Sequence, residues 1–197
     1  MTSRPPNPDE AAAGVRREEI LALLHEHTEQ PGLRKHALAV EAAMRAYARR
    51  LGGDEALWAA TGLIHDFDYE KHPTPEEHPF VGCDILRSKG YPAEMIDAIL
   101  GHAAYTGTPR VTPMAKALFA VDELCGLVTA TALVQPGKTL AEVTVESVLK
   151  KMKSKGFARG VNREDIVRGA EELGVPLEEH VGVVLGALQA EAGVLGL

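Results

Sequence analysis

Residues 113–133 read PMAKALFAVDELCGLVTATAL, a run with helical periodicity broken by one acidic pair. Thr112 precedes it as an N-cap whose hydroxyl can accept a first-turn N–H. Pro113 suits the first helical position, where a missing N–H removes no helix bond. Leu118, Asp122 and Cys125 are spaced by four and three residues, so they share one helix face. Asp122 is therefore aimed into an apolar stripe. A carboxylate there is costly unless it pairs with a cation or binds a metal.

The same reading extends in both directions. Segment 15–28 carries Ile20, Leu21, Leu23 and Leu24 and breaks at Pro31-Gly32. Segment 33–51 stops at Gly52-Gly53, and Asp54 is placed to cap 55–66. Pro79 and Pro92 open helices over 79–88 and 92–102, with the loop DFDYEKHPTPEEHP (66–79) before the first. Downstream, Asn162 caps a helix to Leu173, Gly174 ends it, and Pro176 starts the last one. Region 134–161 reads as irregular, with Pro136-Gly137, Gly156, Gly160 and the basic run Lys150, Lys151, Lys153, Lys155. No alternating strand pattern or internal repeat is present. The expectation is an all-α helical bundle in one domain over 15–197, with its core at about 16–133 and a helical extension over 134–197. Residues 1–14, polar and Pro-rich, read as a disordered tail. Val181, Val183, Val184, Leu185 and Leu188 either close the core or pair with a second copy as a homo-oligomer.

A chain of 197 residues is long enough to bury a sizeable core. Aromatic residues are only 5% while Ala, Leu and Glu abound, which favours helices over sheets. The net charge of -7 argues against a surface that coats nucleic acid. No apolar run reaches the ~18 residues of a membrane span. The two cysteines, Cys83 and Cys125, have no metal-finger spacing, which fits buried packing and a reducing cytoplasm.

Asp122 has company. Leu33, His36 and Val40 share a face of the second helix, and Met95, Ile99 and His102 share a face of the fifth. His65-Asp66 follows the apolar Leu63-Ile64 at the end of the third helix. Any one of these alone reads as a hydrogen-bonded core histidine or a buried salt-bridge partner. Convergence of several points to a metal, because imidazole and carboxylate are the donors that Zn, Mn, Fe, Co and Ni sites use. Helical bundles place such donors on facing helices.

The ordered set His36, His65-Asp66, Asp122 resembles the HD superfamily of metal-dependent phosphohydrolases. The contexts LRKHALAVE (33–41), GLIHDFDYEK (62–71) and FAVDELCGL (119–127) carry the resemblance. His78 in EHPFVGCDIL and His102 in AILGHAAY resemble the two further histidines of HDIG-type members. The likeness covers about 16–133, and the remainder resembles bacterial HD proteins of similar length. The chain departs from the HDIG pattern in reading HDFDYEK for HDIGK, and no GYP motif follows. The resemblance implies an HD-domain bundle with a metal site in its core. One divalent transition ion would be held by His36, His65, Asp66 and Asp122. A second would be held by His78, His102 and a bridging Asp66.

Two such ions carry +4 against −2 from Asp66 and Asp122, a surplus that suits a phosphate ester. The implied activity is hydrolysis of a nucleotide or other small phosphoester by metal-activated water. Asp66 would be catalytic, and Asp68 would orient the water or shuttle its proton. Glu123 would support a ligand histidine from behind. Lys71, Lys153 and Lys155, with Arg34, Lys35 and Arg159, are candidates for binding the phosphate. Two other readings stay open: a mixed-valent diiron oxygenase, and a non-catalytic metal-stabilised module that binds a nucleotide or a partner.

Overall fold

The computed structural model describes residues 15–154 and 156–197; the expected tail over 1–14 lies outside them. Ten α-helices follow one another among the described residues, with no strand. They are α1 (Arg17–His27), α2 (Pro31–Leu51), α3 (Glu55–Ile64), α4 (Phe80–Ser88), α5 (Ala93–His102), α6 (Pro113–Leu133), α7 (Val145–Met152), α8 (Arg163–Leu173), α9 (Leu177–Ala190) and α10 (Ala192–Leu195). The protein is all-α. No helix among the described residues is long and apolar enough to cross a membrane.

Local chemistry sets the ends. Asp54 accepts from the Ala56 and Leu57 N–H groups at 2.9 and 3.0 Å, starting α3. Thr112 accepts from Ala115 N–H at 3.1 Å, starting α6. Gly52 and Gly174 stop α2 and α8 at φ 70 and 67, in the left-handed region that glycine enters without penalty. Region 134–161 departs from expectation, since it contains α7. Thr144 and Ser147 cap that helix reciprocally, and its Val148 is fully buried while Lys153 beyond its end is exposed. The basic run hid a short amphipathic helix whose apolar side is narrow.

Helix α6 is the central strut, buried along most of its length. Helices α2 and α5 pack on it from one side, and α7, α8 and α9 from others. Its crossing with α8 is close: a Cβ on Gly169 would stand 2.5 Å from the Ala120 Cα. The C-terminal apolar stretch closes the core, because Val181, Val184, Leu185 and Leu188 are buried in it. A polar tie crosses this core. Tyr47 Oη on α2 donates to His180 Nδ1 on α9 at 2.5 Å, and His180 Nε2–H donates to the Ala120 carbonyl on α6 at 2.9 Å. All the polar atoms of both side chains are thereby satisfied, as deep burial requires.

Candidate metal centre

Three helices and two turns aim their polar side chains at one centre. His36 lies on α2 and Asp122 midway along α6, with Nε2 and Oδ1 2.9 Å apart. Helix α3 ends at Ile64, two residues before the expected end. His65 then begins a series of tight turns through Lys71, held by main-chain bonds such as Tyr69 N–H to Asp66 O. This break lets the adjacent His65 and Asp66 both face inward, which a continuing helix would not allow. His102 comes from the last turn of α5, and His78 from the residue two before α4.

The three buried histidines share a design. His65 Nδ1–H donates to the Gly62 carbonyl at 2.7 Å, and His102 Nδ1–H to the Ile99 carbonyl at 2.5 Å. His78 Nδ1–H donates to Asp68 Oδ1 at 2.8 Å. Since a carbonyl can only accept, each ring is fixed with Nε2 turned inward. His65 Nε2 stands 3.4 Å from Asp66 Oδ2 and from Asp122 Oδ1. His78 and His102 Nε2 stand 3.3 and 3.2 Å from the other oxygen of Asp66.

Two donor groups result. One ligand atom each from His36, His65, Asp66 and Asp122 lie within 4.8 Å of one another, as do atoms from Asp66, His78 and His102. Either group could hold a metal ion. His65 Nε2 and Asp66 Oδ1 are buried without any hydrogen-bond partner. Such orphans cost about 1–3 kcal/mol each, and a cation between the two groups would satisfy both.

The protonation of the centre's own side chains shows the same complementarity. Burial opposes the charged form of His65, but Asp66 and Asp122 outweigh it and hold the ring well above 6.5. His78 behaves likewise: burial lowers it, and Asp66 and Asp68 together raise it to about 9. Burial pushes Asp66 and Asp122 up, yet the histidines hold both well below the usual carboxylate range. Protons thus sit where a cation would.

A cavity of about 520 Å³ opens onto this centre. The six residues singled out as metal ligands from the sequence all meet here, and all but the buried His65 line the cavity. Several other expectations are corrected. Asp68 is fully buried, with one oxygen on His78 and the other on Gly82 N–H at 2.8 Å, and it does not line the cavity. A Cβ on Gly82 would collide with that carboxyl at 2.8 Å. Lys71 turns outward and donates to the Glu26 carbonyl at 3.0 Å. Arg34 is bonded to Thr28 O at 2.6 Å. Lys35, Lys153 and Arg159 do not line the cavity, and Lys155 is not among the described residues. Long cations near a turn find main-chain carbonyls or solvent, which sequence proximity to a motif does not show. Glu123 was expected behind a histidine, but it lines the cavity and accepts from Asn162 N–H at 3.1 Å. Burial, and then the charge of Asp122, push its carboxyl up to about 7.

Sequence reasoning missed Tyr69, Tyr105, Asn162 and Asp165, which also line the cavity. The two tyrosines each follow a ligand position by three residues, a spacing that could have flagged them. Asn162 and Asp165 reach the cavity only because α8 packs on α6, which no local pattern encodes.

Residues 33–127 match the family model for the HD domain. This region is an HD domain, which supports membership of the HD-domain superfamily. The matched span runs from the start of α2 into α6 and includes all six of the residues above. No curated protein and no solved structure matches the chain. The HD domain fits a superfamily of metal-dependent hydrolases.

Proposed function

We propose that this HD protein is a metal-dependent phosphohydrolase acting on a small phosphoester. The observation that carries the reading is Asp66, whose two oxygens face two separate donor groups. His36, His65, Asp66 and Asp122 would hold one divalent transition ion, and Asp66, His78 and His102 a second. When bound, such ions supply Lewis acidity and a nucleophile at neutral pH. The chain's own residues supply orientation. Gly62 O, Ile99 O and Asp68 lock three imidazoles with Nε2 inward, so little side-chain freedom is lost when an ion binds. Asp66, common to both donor groups, would contribute to holding both ions, while Asp68 would be a positioning residue one step removed. The cavity volume is in the range that small ligands occupy.

The same His and carboxylate donors suit a diiron oxygenase, a second reading favoured by the shared carboxylate between two groups. Elemental analysis of the purified chain, followed by a phosphoester panel with added Mn, Co, Ni or Zn, separates the two. Phosphate release that tracks bound metal supports hydrolysis. Two irons per chain, dioxygen uptake and no phosphate release would replace it with the oxygenase. Tight metal binding with neither activity would leave a metal-stabilised binding module.

A further inference from the structure

The cavity over the centre is acidic beyond what metal binding needs. Asp66, Asp122, Glu123 and Asp165 all line it, and no lysine or arginine among the described residues does. Two divalent ions would carry +4, and Glu123 and Asp165 add acidic groups to the −2 of Asp66 and Asp122, so the positive surplus is smaller than two carboxylates alone would leave. A polyphosphate would meet weaker attraction there than beside Asp66 and Asp122 alone.

Asp66 and Asp122 face the ions, which leaves Glu123 and Asp165. A single residue holds this pair: Asn162 N–H donates to Glu123 Oε2 at 3.1 Å, and Asn162 Nδ2 donates to Asp165 Oδ2 at 2.5 Å. Among the described residues, neither carboxylate forms a salt bridge. Arg110 and Arg168, whose charges reach Asp165, both bond to Glu172 at 2.6–2.9 Å. Tyr69 and Tyr105 also line the cavity and remain 41% and 55% exposed. Each is anchored to His78, by an edge contact at 5.2 Å for Tyr69 and by a hydrogen bond to the His78 carbonyl at 2.9 Å for Tyr105. Aromatic rings and carboxylates lining one cavity form an environment suited to an ammonium group.

We propose that this cavity takes a phosphomonoester whose non-reacting end is a compact ammonium group, held by Glu123, Asp165 and the two tyrosines. The inference rests on the phosphoester reading of the centre and adds the charge of the substrate's other end. It makes Glu123 and Asp165 specificity-determining residues.

The test is calorimetric titration of the metal-loaded full chain with O-phosphoethanolamine and with n-propyl phosphate, which has a methyl in place of the ammonium. The ammonium ester should bind about tenfold more tightly at low salt, the scale of one partly desolvated charge contact. In Asp165→Asn and in Glu123→Gln the ratio of the two affinities should fall toward one, with the metal content of each variant unchanged. Equal affinities in the wild type, or an undiminished ratio in both variants, would overturn the inference while sparing the phosphoester reading. Loss of an ion from Asp165→Asn would overturn it by making the wall a metal site. Binding of neither ester to metal-loaded protein would sink both readings.

Discussion

Replacing Asp68 with asparagine should strip one ion from the protein while leaving the fold intact. Asp68 accepts two hydrogen bonds at 2.8 Å, from His78 Nδ1–H and from Gly82 N–H, and it is fully buried. An amide of the same shape has one acceptor oxygen. If that oxygen faces His78, the new NH₂ points at the Gly82 N–H; if it faces Gly82, the NH₂ points at the ring. One donor is left unmatched either way, at about 1–3 kcal/mol. A charged acceptor is also lost, so the basicity of His78 falls. Losing such support behind a ligand costs roughly 10–100-fold in metal affinity, or about 1.4–2.8 kcal/mol. The loss should fall on the group containing His78, because His36, His65 and Asp122 make no contact with Asp68 among the hydrogen bonds described. Competition titration against a chelator, read through the visible bands of cobalt, resolves the two binding steps. The weaker step should shift by 10-fold or more and the stronger by much less. Two wild-type steps in Asp68→Asn would refute the argument, and Asp68 would return to consideration as a group that handles water.

Other perturbations separate the centre from the scaffold. Asp66→Ala removes the residue common to both groups, so neither ion should be retained; helical circular dichroism should persist, and retention of even one tightly bound ion would contradict the shared-carboxylate geometry. Gly169→Ala puts a Cβ against the Ala120 Cα and should destabilise the fold by about 1–3 kcal/mol in urea denaturation, with metal stoichiometry unchanged. His180 has a lowered pKa because burial disfavours its charged form, with the Ala120 carbonyl opposing weakly. The unfolded chain therefore takes up a proton first as pH falls, so the contribution is present above about 6.5 and lost below it. The drop in unfolding free energy between pH 7.5 and 5.5 should be larger for wild type than for His180→Leu, and equal drops would show that His180 does not titrate on unfolding.

Much of this architecture was legible because its signals are local. Caps at Asp54, Thr112 and Asn162 and stops at Gly52 and Gly174 depend on a few neighbouring residues, and the helices begin and end near them. His36, His102 and Asp122 stood out because a polar residue on an apolar stripe must be compensated, and the fold brings them together. The illegible parts depend on where the chain turns. Asp68 lies two residues from Asp66, which suggested a shared role; the turns over 65–71 instead send its side chain toward the start of α4. Lys71 was near the motif in sequence, yet its ammonium bonds across to the end of α1. Glu123 was placed by helical phase alone, which gave its angle around α6 but not the presence of Asn162 opposite it.

Asn162 and Asp165 have a consequence for how such a protein can diverge. Every side chain of the two donor groups lies between residues 36 and 122, inside the matched span, while this part of the cavity rim lies outside it. A chimera that kept residues 33–127 and exchanged the segment from 157 onward would retain all the metal-facing atoms and present a different rim to whatever enters. Asn162 and Asp165 thus sit on a stretch that can change without touching the metal-facing residues, whereas Glu123, Tyr69 and Tyr105 share the stretch that carries them.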